Sequence, residues 1–346
     1  MRCSNLALYY DSEGETELPE SAIKSCWIIT EGIAGTENQC IGVAEALGVE
    51  PVIKRIKLRS PWKQLSPWLS CGHGNALTPD SDSIAPPYPD LVIASGRKSI
   101  GIARYIREQA KGRTFVVQIQ DPRVNPKHFD LVVVPQHDPT RAENVIVTKA
   151  GLHRVTPKKI ADAKAKFEKQ FAKIPHPRVA VLIGGTSKAH TMTAENAKAL
   201  ALQLLHLAER PDIGLLITAS RRTGEENAKL LRDMLQGPAI HFWDGAGENP
   251  YFGFLALADY IIVTEDSVSM ASEALSTGKP VYIAALEGGA RRLDMFHKIL
   301  QEQGYTRPFT GLLEQWNYTP PDDTQRVADE IRERFKVARA TRNAKE

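Results

Sequence analysis

The chain has 346 residues, 42% of them hydrophobic and 25% charged, and a net charge of +3, which is room for two domains with their own cores and too little charge to imply a nucleic-acid partner. No run approaches the ~18–20 consecutive apolar residues of a membrane-spanning helix, and Asp11, Glu13, Glu15, Glu17 and Glu20 stand where a signal peptide would be basic and apolar. Cys3, Cys26, Cys40 and Cys71 form no CxxC pair, which argues against a zinc site or a disulfide framework and for free thiols in a reducing cytosol.

Residues 1–24 read as a loose acidic leader. From residue 26 to about 303, strand and helix signals alternate, the pattern of parallel sheets with crossover helices. In the first half the strands fall at 26–30, 52–56, 91–94, 115–119 and 131–134, and the helices at 37–47 and 99–110. A proline-rich, irregular excursion occupies 59–90. A charged helix over 158–173 ends at Pro175-His176-Pro177, the expected linker. The pattern then restarts, with strands at 179–183, 213–218, 239–242, 260–263 and 281–284 and helices at about 192–208, 224–235, 250–257, 267–276 and 291–302. A last helix, about 323–340, follows Pro320-Pro321.

The expectation is an α/β protein with two Rossmann-like domains facing a cleft, the outline of a GT-B enzyme. The domains are 25–174 on the acceptor side and 175–315 on the nucleotide-sugar side, with a basic helix and tail over 316–346. Flavodoxin-like pairs and periplasmic binding proteins share this outline, so the activity has to be sought in the loops.

In open parallel sheets, ligands bind beyond the carboxyl ends of the strands. After the first strand, Gly32 and Gly35 allow close backbone approach, and the helix that follows points its first N–H groups at whatever sits there. Thr36, Asn38 and Gln39 add polar contacts. Glu37 is placed either as a general base toward an acceptor hydroxyl or as a first-turn helix acid. Ser95, Gly96 and Arg97 open the next helix and suit a polar or anionic group. The loops carrying Asp121, Arg123 and His137 converge on the same edge, with Asp121 the second candidate base.

In the second half, Gly184-Gly185-Thr186-Ser187 follows a strand as a phosphate cradle would. It lacks the full GxxxxGK[ST] pattern of an ATPase. Ser220 and Arg221 add a hydroxyl and a guanidinium that can fork onto a diphosphate, although Arg221 with Arg222 also reads as a solvated pair. Trp243 offers an edge to a nucleobase or else belongs to the core. Asp266, Ser267, Ser269 and Met270 open a helix whose amides face the ligand, and Glu273 lies one to two turns inside it, where a carboxylate can accept from ribose hydroxyls.

Taken together, Gly35-Thr36-Glu37-Asn38-Gln39, Ala94-Ser95-Gly96-Arg97, Gln120-Asp121-Pro122-Arg123, Phe129-Asp130-Leu131-Val132, Pro135-Gln136-His137-Asp138, Gly184-Gly185-Thr186-Ser187 and Thr264-Glu265-Asp266-Ser267-Val268-Ser269-Met270 resemble the mitochondrial-fission Elm-type proteins and their bacterial relatives, over about residues 25–315. The resemblance implies the GT-B fold and a similarity to the lipid II N-acetylglucosaminyltransferase. It puts Glu273 on the ribose, Gly184–Ser187 and Ser267–Met270 on the diphosphate, and the Gly32–Glu37 loop at the acceptor. Thr36 stands where the related transferase has a histidine, which leaves either Glu37 or Asp121 as base or no catalysis at all. The resemblance to plant members implies action by recruiting a dynamin-type GTPase.

The leading expectation is transfer of a sugar from a nucleotide diphosphate sugar to a lipid- or saccharide-linked hydroxyl. No Asp-x-Asp motif falls in a suitable loop, so neither a metal nor a cofactor beyond the nucleotide sugar is expected. The transfer reading requires the later half to hold the diphosphate with main-chain amides of the Gly184 turn and the Ser267 helix. The alternatives are a non-catalytic adaptor, with a dynamin-type partner, and a nucleotide-sugar epimerase. Arg326, Arg332, Arg334, Lys336, Arg339, Arg342 and Lys345 crowd the last stretch. They read either as a contact with anionic lipid, making this a cytoplasmic protein peripheral to the inner face of a membrane, or as a solvated helix packed on the first domain.

Overall fold

The computed structural model describes residues 22–69, 72–210 and 212–344. Most of the acidic leader, with Cys3, Cys71 and Lys345, therefore lies outside the described residues. The first half runs β1 (Cys26–Thr30), α1 (Ala34–Leu47), β2 (Pro51–Arg55), α2 (Trp62–Leu65), β3 (Leu91–Ser95), α3 (Ser99–Gln109), β4 (Phe115–Ile119), β5 (Leu131–Pro135), β6 (Val145–Thr148) and α4 (Pro157–Phe167). The second runs β7 (Arg178–Ile183), β8 (His190–Thr191), α5 (Ala194–Ala208), β9 (Gly214–Ala219), α6 (Glu225–Met234), β10 (Ile240–Phe242), α7 (Tyr251–Leu257), β11 (Tyr260–Thr264), α8 (Val268–Leu275), β12 (Val281–Ala284), β13 (Glu287–Gly288), α9 (Arg291–Glu302), β14 (Thr306–Pro308) and α10 (Asp323–Asn343).

Each half builds one six-stranded sheet, β2-β1-β3-β4-β5-β6 and β10-β9-β7-β11-β12-β14, and every pairing within them is parallel. The fold is thus two Rossmann-like domains facing a cleft, the GT-B arrangement, with a C-terminal helix. Strands β3, β4 and β7 are buried along their whole length, because helices cover both faces and leave no polar side to a strand. The strand order reverses between β1 and β3 in the first sheet and between β7 and β11 in the second. Adjacent connections leave for opposite faces at those two points, and a crevice opens beyond the strand ends.

Besides the antiparallel pair β8–β13, two strands of the six-stranded sheets lie beyond those read from the sequence, β6 and β14. The second is Thr306-Arg307-Pro308, with no apolar run to announce it; a proline is tolerated there because the strand lies at a sheet edge. The helix expected over 158–173 stops at Phe167. Beyond it the chain turns so that Phe171 joins Phe167 and Phe254 in the second domain's core.

Helix α10 returns to the first domain. Its Val327, Ala328, Ile331 and Phe335 are buried in one cluster with Cys26, Ile28, Val43 and Leu47, and Asp323 at its start accepts from the Lys149 and Ala150 amides at 2.8 and 3.0 Å. Among the described residues, no helix is long and apolar enough to cross a membrane.

Candidate functional site in the interdomain cleft

The two reversal points face each other. A Cβ on Gly35, in the first turn of α1, would lie 3.1 Å from the Ser269 hydroxyl at the start of α8. Gly35 lets the two helix starts meet across the domain boundary. Beside this contact lies a cavity of about 720 Å³, with a first-domain wall formed by the loops after β1, β3, β4 and β5 and a second-domain wall formed by Lys188, Val268, Ser269, Arg292 and Leu293. At the start of α8 the Ser267 hydroxyl accepts from the Met270 amide. Val268 and Ser269 line the cavity, and their amides have no acceptor among the described residues. They are the positive end of the helix.

Four cations border the cavity: Arg97, Arg123, Lys188 and Arg292. The first three have no carboxylate partner among the described residues. Arg292 reaches across from α9 to Asp121, at 3.6 Å, and to Asp138, which is 4% exposed. The Asp121 Oδ1 accepts from the Arg123 amide at 2.9 Å and the Thr140 hydroxyl at 2.8 Å, which leaves Oδ2 toward Arg292. The loop is strained to present Asp121 this way. Gln120 and Arg123 hold φ of 71° and 56°, a region that side chains other than glycine rarely enter. His137 also lines the cavity. Burial holds its pKa below the ordinary histidine value, Asp138 opposes that, and Arg292 and His297 reinforce it.

The turn after β7 is sealed by the protein itself. The Gly184 amide donates to the Thr264 hydroxyl at 2.7 Å, Gly185 to the Asp266 carboxylate at 3.0 Å, Thr186 to the Arg222 carbonyl at 2.9 Å and Ser187 to the His190 carbonyl at 2.8 Å. A Cβ on Gly184 would fall 2.3 Å from Asp266, and one on Gly185 2.1 Å from the Arg222 carbonyl oxygen. These glycines make room for an internal carboxylate and a neighbouring main chain.

Residues 34–335 match the family model described as mitochondrial fission ELM1. The chain belongs to the mitochondrial fission ELM1 family. It is 30% identical to the Arabidopsis thaliana mitochondrial fission protein ELM1 over 390 residues, covering 90% of this chain and 91% of that one. Among solved structures it is similar to Acinetobacter baumannii MurG, at 13% identity and a TM-score of 0.48, with 91% of this chain and 93% of that one covered. It is also similar to the Neisseria meningitidis UDP-GlcNAc 2-epimerase bound to UDP-GlcNAc, at 14% identity and a TM-score of 0.49, with 90% and 100% covered.

In this ELM1-family chain the cavity brings together Gly35, Thr36, Gln39, Gly96, Arg97, Asp121, Arg123, His137 and Ser269 of the residues singled out in the sequence. It does not include the others. Both Glu37 oxygens are held by the Arg55 guanidinium at 2.8 and 3.0 Å, off the cavity wall, so the carboxylate is engaged where a base was expected. Gly32, Asn38 and Ser95 lie beside the lining loops; Ser95 is fully buried.

On the donor side, the expectation that Gly184, Gly185, Thr186 and Ser187 cradle a phosphate is corrected by the seal just described, to which Asp266 contributes its carboxylate. Ser220 donates to the Gly184 carbonyl at 2.9 Å, and Trp243 donates to the Ala246 carbonyl at 2.9 Å while packing on the second core. Arg221 is exposed and away from the cavity, and the Met270 amide is capped by Ser267. Arg292 and Asp138 were the residues missed. The paired Arg291-Arg292 at a helix start, after Gly288-Gly289, was the signal available.

Glu273 does not line the cavity. It is 8% exposed and accepts from the buried Tyr251 hydroxyl. Burial pushes its carboxyl up to about 7 from an ordinary 4.5, against the Tyr251 hydrogen bond and the Arg154 charge. An acid whose pKa is raised by folding stabilises the fold only while protonated. That stability is fully present below pH 4.5 and is lost as the pH rises through about 7. Glu273→Gln keeps an acceptor for Tyr251 and removes the ionisation. The variant should gain about 3 kcal/mol over the parent between pH 4.5 and 7.5, read from urea midpoints. A constant difference across that range would show that Glu273 does not ionise within it.

Proposed function

We propose that the cleft binds a nucleotide diphosphate sugar and passes its sugar to an acceptor hydroxyl, with the diphosphate resting on the start of α8 and not on the Gly184 turn. The observation that supports this is one cavity lined by Val268 and Ser269, whose amides have no acceptor among the described residues, by four cations and by Asp121. A diphosphate meets there the positive end of a helix and two cations of the second domain, Lys188 and Arg292. In the reaction, the Asp121 Oδ2 takes the proton of the acceptor hydroxyl as its oxygen bonds to the anomeric carbon. The bond from that carbon to the diphosphate oxygen breaks, and its electron pair leaves with the diphosphate, stabilised by the amides and cations.

Calorimetry with UDP- and GDP-sugars tests the binding. Asp121→Asn should bind the donor and release nucleoside diphosphate roughly 10²–10⁴-fold more slowly. Folded protein that binds none of these sugars overturns the reading.

A second reading, a non-catalytic adaptor, is favoured by the sealed Gly184 turn and the buried Glu273, since two elements expected at a donor are occupied by the protein's own groups. Under it, cells that depend on this chain keep their phenotype with Asp121→Asn, whereas under the transfer reading they lose it.

A further inference from the structure

Arg292 is the cation of the cavity that already has partners, and both belong to the other domain. Asp138 is buried in the first domain and, among the described residues, pairs with no Lys or Arg there; the His137 ring lies 3.8 Å away. Its guanidinium comes from α9 of the second. Asp121, 3.6 Å from the same guanidinium, is presented by the strained Gln120–Arg123 loop. Further polar contacts cross nearby: the Gln136 and Gln303 side chains exchange hydrogen bonds at 3.3 and 3.4 Å, and Lys149 Nζ meets the Tyr305 hydroxyl at 3.2 Å. These neighbouring contacts join neutral groups or lie near the hydrated surface. Among the described contacts across the cleft, the Arg292 bridge alone neutralises a buried carboxylate, so opening the cleft would strand the Asp138 charge.

We infer that Arg292 is a latch that holds the two domains together in the free protein, and that an anionic ligand competes with Asp121 and Asp138 for its guanidinium. The latch follows from the two ion pairs; the competition rests on the reading of the cleft as a diphosphate site. A ligand phosphate reaching the α8 amides meets Arg292 on the same wall. The guanidinium then exchanges carboxylates of the first domain for the ligand, and binding is coupled to domain position. The ligand has to overcome the latch, so the free protein binds anions more weakly than an unlatched one would.

The test is small-angle scattering and calorimetry on the full chain. Without ligand, Arg292→Gln, a change at a half-exposed position, and Asp121→Asn with Asp138→Asn should each give a larger radius of gyration than the parent. An unchanged radius in both overturns the latch. Inorganic pyrophosphate should bind the double Asn variant about tenfold more tightly than the parent, because Arg292 is no longer held. Equal affinities overturn the competition. If pyrophosphate binds neither protein while the radii differ as expected, the latch stands and the diphosphate reading of the cleft fails.

Discussion

Alanine in place of Asp266 should lower the stability of the second domain by about 3 kcal/mol, and added phosphate or sulfate should restore much of the loss. The Asp266 carboxylate is fully buried. It accepts from the Gly185 amide at 3.0 Å and the Thr264 hydroxyl at 2.7 Å, and pairs with Arg222 at 2.9 Å. Truncation leaves two buried donors without an acceptor, at about 1–3 kcal/mol each. Arg222 is part-exposed and turns to water, which keeps the total below the sum that a fully buried pair would cost. The space vacated is bounded by the Gly185 amide and a guanidinium, so a small anion fits where the carboxylate was. Asp266→Asn should lie between, keeping one acceptor and losing the charge. Denaturation midpoints with and without phosphate measure both effects. A loss below about 1 kcal/mol would mean that the seal contributes little, and the Gly184 turn would again be available to a ligand.

That experiment bears on why the fold was legible in the sequence and half of the site was not. Leu91-Val92-Ile93-Ala94 and Leu131-Val132-Val133-Val134 announce strands because both faces of each sheet are covered, so the apolar run is continuous. The loops around Gly35, Gly96 and Asp121 were legible too, since the reversal of strand order places loops of this kind at a crevice. The first errors came from side chains far apart in sequence. Glu37 reads as a first-turn acid free to act. The register that sets Thr30 beside Arg55 brings a guanidinium onto it, and no local pattern carries that information. Gly184 and Gly185 signal a close approach correctly. What approaches is Asp266 and the main chain at Arg222. Glycine spacing records that space is needed and not what fills it. Arg292 was missed for the complementary reason: its role exists only once α9 faces the first domain.

Phe335→Ala should cost the first domain about 3–5 kcal/mol, although residue 335 lies beyond the second domain in sequence. Phe335 is 4% exposed and stands edge-on to Phe115 on β4, with ring centroids 6.1 Å apart and planes at 78°. Val337, two residues on, is 66% exposed, and its replacement by alanine should move stability by no more than about 0.5 kcal/mol. The contrast separates the two readings of the basic C-terminal stretch. Arg332, Arg334 and Lys336 each pair with an acid of the same helix, Asp329, Glu330 and Glu333, at 2.6–2.8 Å. Much of the charge that an anionic lipid would have met is thereby balanced within α10, and the apolar face of the helix is committed to α1 and β4. Helix α10 therefore acts as a strap: the chain stays on the second domain through Tyr318, then crosses and finishes the core of the first. Hydrogen exchange resolved by domain checks this. In Phe335→Ala the amides of β4 should exchange faster while those of β11 hold their protection. Equal loss in both would mean that the two cores unfold as one, and the strap would then stabilise the whole molecule.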